Sequence, residues 1–188
     1  MRIITGKAKG IQLKTLQGEA TRPTAERVKE AVFSMLQFDL EGRTVLDLFA
    51  GSGQLGLEAL SRGATHAVLI DNSKDAVRII QENANKTKLA EYCTILPSDS
   101  LDFIRRSRGK RFDIVFLDPP YASGLYQPVL RALIGTDILK PTSLIVCESD
   151  TEEIFRNNSE LEARFTLQKV SRYGKAVISI LSLRHEED

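Results

Sequence analysis

Tryptophan is absent from this chain, and histidine and cysteine occur twice each. His66, His185, Cys93 and Cys147 are too scattered to form a metal-ligand set, so no metal is expected. Cys93 and Cys147 stand in apolar, strand-like runs and read as reduced core thiols rather than a disulfide. No apolar run approaches the ~18 residues of a membrane span, and the first residues lack a signal-peptide core. The cytoplasm is therefore the default location, with no membrane partner. Repeats and low-complexity segments are missing. So is an excess of one charge: Lys and Arg total 26 against 25 for Asp and Glu. That balance does not by itself point to nucleic acid. What is present is ordinary for a soluble globular protein, with 42% hydrophobic and 27% charged residues. At 188 residues the chain is one domain with room for a small appendage.

The most informative stretch is Phe112 to Tyr121, F-D-I-V-F-L-D-P-P-Y. Ile114 to Leu117 form a continuous apolar run, the mark of a strand covered on both faces. Pro119 and Pro120 cannot donate to a ladder and stop it. A carboxylate, Asp118, and an aromatic ring, Tyr121, are thus held at the carboxyl end of a central strand, where open α/β sheets bind ligands. This corner suits chemistry on the exocyclic amine of a nucleobase. The amine lone pair is delocalised into the ring, and its two N–H groups need two acceptors. Asp118 supplies one and the backbone carbonyl of Pro119 the other, which turns the lone pair towards an electrophile. Tyr121 can stack on the base.

A second motif begins after the strand Thr44 to Phe49. Gly51, Gly53 and Gly56 satisfy G-x-G-x-x-G, and Asp71 follows Gly51 by twenty residues at the end of the strand Ala67 to Ile70. The glycines permit a tight turn and close approach of a ligand, and the next helix directs free N–H groups at it. The spacing matches the dinucleotide fingerprint, so a nicotinamide or flavin oxidoreductase competes. Asp47 opposes that reading, because a carboxylate at the mouth repels a pyrophosphate and pairs with an ammonium. S-adenosylmethionine carries an ammonium, no phosphate, and a ribose diol that Asp71 can hold. Ser98-Asp99-Ser100 follows the third strand, Cys93 to Leu96. Asp99 there is either an acceptor for the adenine amine or a cap for the short helix that follows.

The flanks complete an architecture. Arg2 to Thr5 and Ile11 to Lys14 read as a small hairpin. Through Glu30 there are seven basic residues (Arg2, Lys7, Lys9, Lys14, Arg22, Arg27 and Lys29) against three acidic (Glu19, Glu26 and Glu30), about +4 where the whole chain is +1. This end can engage phosphates. Thr24 reads as the N-cap of a helix whose Val28, Ala31, Val32, Met35 and Leu36 form one apolar face. Ala122-Ser123-Gly124 reads as a mobile closing loop. Leu144 to Cys147 is a fifth strand, and Phe165 to Val170 and Ala176 to Leu183 flank a turn at Tyr173-Gly174-Lys175. The expectation is an α/β fold: a doubly wound, mostly parallel, seven-stranded Rossmann-like sheet with a C-terminal antiparallel hairpin. The N-terminal hairpin and helix occupy residues 1–38 and the main domain residues 39–188.

D-L-F-A-G-S-G, G-L-E-A-L-S-R-G-A and D-P-P-Y together resemble class I S-adenosylmethionine-dependent methyltransferases that act on amines. The opening I-I-T-G, the R-P-T-x-x-R-V-K-E run and the late R-Y-G-K-A are similar to the bacterial 16S ribosomal RNA guanine-N2-methyltransferase family. The resemblance covers almost the whole chain. It implies that Asp47, Gly51, Ser52, Gly53, Asp71, Asp99 and Ser100 hold S-adenosylmethionine. By the same resemblance Asp118, Pro119 and Tyr121 hold a flipped guanine, and Arg2, Lys7, Lys9, Lys14 and Arg22 contact RNA. The implied partner is 16S ribosomal RNA in a small-subunit particle, met by a monomer. D-P-P-Y is shared with adenine- and cytosine-amino enzymes, so adenine N6 stays open as the target. A glutamine-amide methyltransferase fits less well, since relatives of that type usually carry Asn at the place of Asp118. An RNA-binding assembly protein that keeps the fold but not the activity is the non-enzyme alternative. Gln54 departs from the family's usual small residue, and Lys7 to Gln12 holds fewer arginines than the family pattern.

Overall fold

The computed structural model describes residues 1–16 and 23–184. Seven strands form one sheet in the order β3-β2-β1-β4-β5-β7-β6. They are β1 (Thr44–Asp47), β2 (His66–Asp71), β3 (Cys93–Pro97), β4 (Phe112–Leu117), β5 (Leu139–Ser149), β6 (Phe165–Tyr173) and β7 (Ala176–Leu183). The first five pair in parallel, whereas β7 runs antiparallel to both β5 and β6. The chain starts at β1, works outward to β3, then returns to β4 on the other side of β1. A crevice opens where the order reverses, above the carboxyl ends of β1 and β4.

Both faces of the sheet are covered, which explains the uninterrupted apolar strands. Alternate residues of each strand serve opposite cores. Ile114 and Phe116 join Val45, Leu69 and Val146 on one face, beneath α1 (Pro23–Met35), α2 (Gln54–Ser61) and α3 (Lys74–Lys86). Val115 and Leu117 join Leu46, Ile70 and Cys147 on the other, beneath α4 (Ser100–Arg106), α5 (Tyr126–Ile134) and α6 (Ser159–Arg164). All six residues of β4 are buried. Helix α2 lies so close to β2 that a Cβ on Gly56 would come within 2.1 Å of Leu69 Cδ2.

Several local expectations change. The first strand ends at Asp47, because Leu48 to Gly53 already turn towards α2. Helix α1 starts at Pro23, so Thr24 lies inside its first turn rather than at the cap. Within the loop read as Ala122-Ser123-Gly124, the first two residues lie in a 3-10 turn (Tyr121–Ser123) closed by Gly124 at φ 67°. The two N-terminal strands shrink to one bridge, Arg2 with Gln12. The segment is instead stitched to the main body by side chains. Glu58 accepts the N–H groups of Ile4 (2.8 Å) and Thr5 (3.0 Å), and Ser61 Oγ accepts that of Ala8 (2.9 Å). Asn83 accepts the N–H of Lys14 (2.8 Å) and donates to its carbonyl (2.9 Å). Ile3, Ala8 and Leu13 enter the same core as α1, α2 and α3.

Candidate active site

The crevice at the switch point is an open cavity of about 810 Å³. Its floor is the glycine turn. Gly51 and Gly53 take positive φ angles of 55° and 80°, which lets the chain leave β1 and enter α2 within a few residues. The turn is braced from β2: the Gly51 N–H donates to Asp71 Oδ2 at 2.9 Å, and the Ser73 N–H donates to Asp71 Oδ1 at 2.9 Å. It is braced from α3 as well, where Asn83 Nδ2 donates to the Ser52 carbonyl at 2.8 Å. The same Asn83 amide holds Lys14, so one buried side chain ties the N-terminal segment to the turn. Leu16, two residues beyond Lys14, lines the cavity.

Gly51, Asp71, Asp99, Ser100, Asp118, Pro119 and Tyr121 line this cavity together. Three of the expected cofactor residues do not reach its wall. Ser52 and Gly53 are buried within the turn. Asp47 lies beneath it, 1% exposed, with neither carboxylate oxygen in a hydrogen bond among the described residues. Burial raises its pKa to about 7, and the N–H dipoles of Phe49 and Gly56 offset part of that without reaching hydrogen-bond geometry. Asp99 has a structural duty: its Oδ1 accepts the N–H groups of Leu101 (2.9 Å) and Asp102 (3.1 Å), capping α4. Ser100 Oγ is buried, on the cavity wall, and has no partner among the described residues.

On the opposite wall, Asp118 directly follows the last residue of β4. Among the described residues the Pro119 carbonyl accepts no backbone hydrogen bond, while that of Pro120 accepts the Ser123 N–H at 2.8 Å. Tyr121 is 41% exposed, and its hydroxyl donates to Glu148 Oε1 at 3.0 Å. Glu148 was not foreseen. It stands at the carboxyl end of β5 beside Asp118, because β4 and β5 pair with Leu117 opposite Cys147. Its signal in the sequence is the one that marks Asp71 and Asp118, a carboxylate placed directly after an apolar run. Burial raises the Glu148 carboxyl above its ordinary value. The Tyr121 phenol is also raised, first by burial and then by the neighbouring Glu148 and Asp118.

The expected RNA contacts are dispersed. Arg22 lies outside the described residues. Arg2 faces Glu26 at 3.7 Å, and Lys14 is paired with Glu82. Lys29, counted in the basic excess, is 2% exposed and paired with Glu58 at 3.3 Å, so it is not available to a phosphate. Lys7 and Lys9 are exposed and make no ion pair among the described residues. The Lys7 N–H donates to the Ser61 carbonyl at the last turn of α2. The cavity lies at that helix's first turn, about 12 Å away along its axis.

The orphaned Ser100 Oγ on the wall is what a nucleoside would use, the Asp47 carboxylate beneath the turn acts on an ammonium only through its field, and acidic rather than basic walls argue against a pyrophosphate. Together with the sheet order, this defines a class I, S-adenosylmethionine-dependent methyltransferase. The chain belongs to the family described as conserved hypothetical protein 95, whose model matches residues 1–182. It is 36% identical over 155 residues to "Ribosomal RNA small subunit methyltransferase D" of Haemophilus influenzae, covering 81% of this chain and 80% of that one. With the protein of the same name from Escherichia coli K12 it shares 36% over 152 residues, 81% of this chain and 76% of the other. The solved structure of Escherichia coli yhhF superposes with a TM-score of 0.84 at 30% identity, over 99% of both chains. The oxidoreductase reading of the glycine turn gives way to this membership.

Proposed function

We propose that this protein methylates the exocyclic N2 amine of one guanine in 16S ribosomal RNA of the small subunit. The carrying observation is the pair of acceptors at the end of β4, the Asp118 carboxylate and the uncommitted Pro119 carbonyl, on the wall of the cavity floored by the glycine turn. The relatives named as small-subunit ribosomal RNA methyltransferases support the substrate class.

When bound, S-adenosylmethionine supplies an electrophilic methyl carbon. The chain's own residues do the rest. Gly51, Asp71, Asp99 and Ser100 hold the nucleoside end, and Asp47 beneath the turn favours the cationic amino-acid end. The target base leaves its stack, and Tyr121 receives one face. Asp118 and the Pro119 carbonyl each accept one N2–H, which points the lone pair across the cavity. Asp118 then takes the proton that N2 sheds once alkylated. Orientation and fixed electrostatics carry the rate, so no strong base is needed. Residues 1–38 form the RNA-contacting extension, with Lys7 and Lys9 meeting phosphates away from the target base. That spacing favours a large, folded substrate such as a subunit particle.

The test uses small subunits from cells lacking the protein, incubated with purified enzyme and labelled S-adenosylmethionine. N2-methylguanosine at a single site, identified by mass spectrometry, is expected. Label in N6-methyladenosine would keep the chemistry and move the base. Cofactor binding without label would point to an assembly role.

A further inference from the structure

Asp118 borders two cavities. Besides the large one, it lines a pocket of about 70 Å³ on the α1 side of the sheet, shared with Glu148, Gln54 and Lys29. The pocket admits the edge of a base and not a whole purine. Its polar lining is weighted towards acceptors. Asp118 and Glu148 extend from neighbouring strands, which run about 4.8 Å apart. Gln54 Oε1 is buried there with no hydrogen-bond partner among the described residues. The cation on the wall, Lys29, is turned away: its Nζ donates to the Arg2 carbonyl and pairs with Glu58 at 3.3 Å. Glu148 is held from both ends, its carboxylate by the Tyr121 hydroxyl and its carbonyl by the Tyr126 hydroxyl.

Two adjacent carboxylates select among bases by elementary chemistry. Guanine presents N1–H and the N2 amine side by side, donor next to donor. Adenine and cytosine present an amine next to a bare ring nitrogen, which a carboxylate repels. We propose that Glu148 accepts the N1–H of the target guanine while Asp118 holds its N2 amine, making Glu148 the residue that sets guanine over adenine. This rests on the guanine reading above. Tyr121 then has two duties, stacking on the base and aiming the Glu148 carboxylate.

The test compares small subunits rebuilt with guanine or with 2-aminopurine at the methylated position. 2-Aminopurine keeps the N2 amine but carries a bare N1. The wild-type enzyme is expected to prefer guanine by about 10- to 100-fold in kcat/KM. In Glu148→Gln the amide can donate to the bare N1, so the preference is expected to fall below about 5-fold. Calorimetric affinity for S-adenosylmethionine is expected to be unchanged, which a general loss of structure would not permit. Equal wild-type rates on the two substrates overturn the assignment whether or not any variant folds. An unchanged preference in a folded Glu148→Gln variant overturns it too. Absence of N2-methylguanosine from the wild-type reaction on guanine subunits refutes the underlying guanine reading instead, and separates the two failures.

Discussion

Glu58 is the hub of a buried network of charges and backbone donors, and Glu58→Gln measures its worth. The carboxylate is 0% exposed and accepts from four donors: the N–H groups of Ile4 and Thr5, Arg62 Nε at 2.8 Å and Lys29 Nζ. Burial already pushes the Lys29 ammonium below its ordinary value of 10.5, and Glu58 offsets only part of that. Without the carboxylate, Lys29 either remains an unpaired buried cation or gives up its proton. Shedding a proton at pH 7 from a group that titrates near 10.5 in the unfolded chain sets a ceiling of about 5 kcal/mol. One backbone N–H facing an amide N–H adds about 1–3 kcal/mol, and rotation of Arg62 towards solvent relieves some of the total. A net loss of about 3–5 kcal/mol is expected, the range for breaking a buried pair from one side. With an m-value of about 2 kcal/mol/M, the urea midpoint should drop by about 1.5–2.5 M. Replacing both partners, as Lys29→Met with Glu58→Leu, should recover most of that loss. A loss under about 1 kcal/mol for Glu58→Gln would refute the reasoning, since it would mean that water already solvates the network.

Asp118→Ala should abolish methyl transfer while leaving calorimetric affinity for S-adenosylmethionine within about 3-fold; near-normal turnover removes Asp118 from the chemistry. Asp71→Ala should weaken cofactor binding by about 10-fold or more, because it removes both a cavity acceptor and the brace on Gly51, and unchanged affinity argues against its place in the pocket. Burial raises Asp47 to about 7 against 3.8 in the unfolded chain, so the fold holds the extra proton between those values. Stability of the ligand-free protein should therefore fall as pH rises from 4 to 7, and Asp47→Asn should flatten that slope in urea titrations. Asp113 behaves oppositely: burial works against its charge, but Lys140 at 2.7 Å and Thr44 outweigh it and lower its pKa to about 2. Its contribution is complete above about pH 4 and lost as pH falls towards 2, and Asp113→Asn should cost about 1–2 kcal/mol at pH 7 after screening of its half-exposed partners.

The sequence by itself determined what is local or periodic. Strands buried on both faces leave apolar runs that need no partner to be recognised, so β1, β2, β4 and β7 were legible. Gly51 and Gly53 announce a turn that only positive φ permits, and two prolines stop β4 beside Asp118 whatever surrounds them. The turn read at Tyr173-Gly174-Lys175 was plain from its glycine between two apolar runs, and the structure narrows it to Gly174-Lys175, with Tyr173 paired to Ala176. Tertiary structure decided everything that depends on which element lies alongside. Lys29 reads as one more surface cation until α1 packs its side chain against Glu58, five residues into another helix. Asp47 reads as a residue at the mouth of the turn, but β1 ends with it and the turn folds over its carboxylate. Asn83 sits mid-helix with no local signal, and only docking places its amide between Lys14 and Ser52. Glu148 meets Asp118 because β5 pairs with β4, a register that spans about thirty residues of chain. Local backbone preferences and apolar periodicity act within a few residues, whereas the pairing of charges and the desolvation that shifts them act through space.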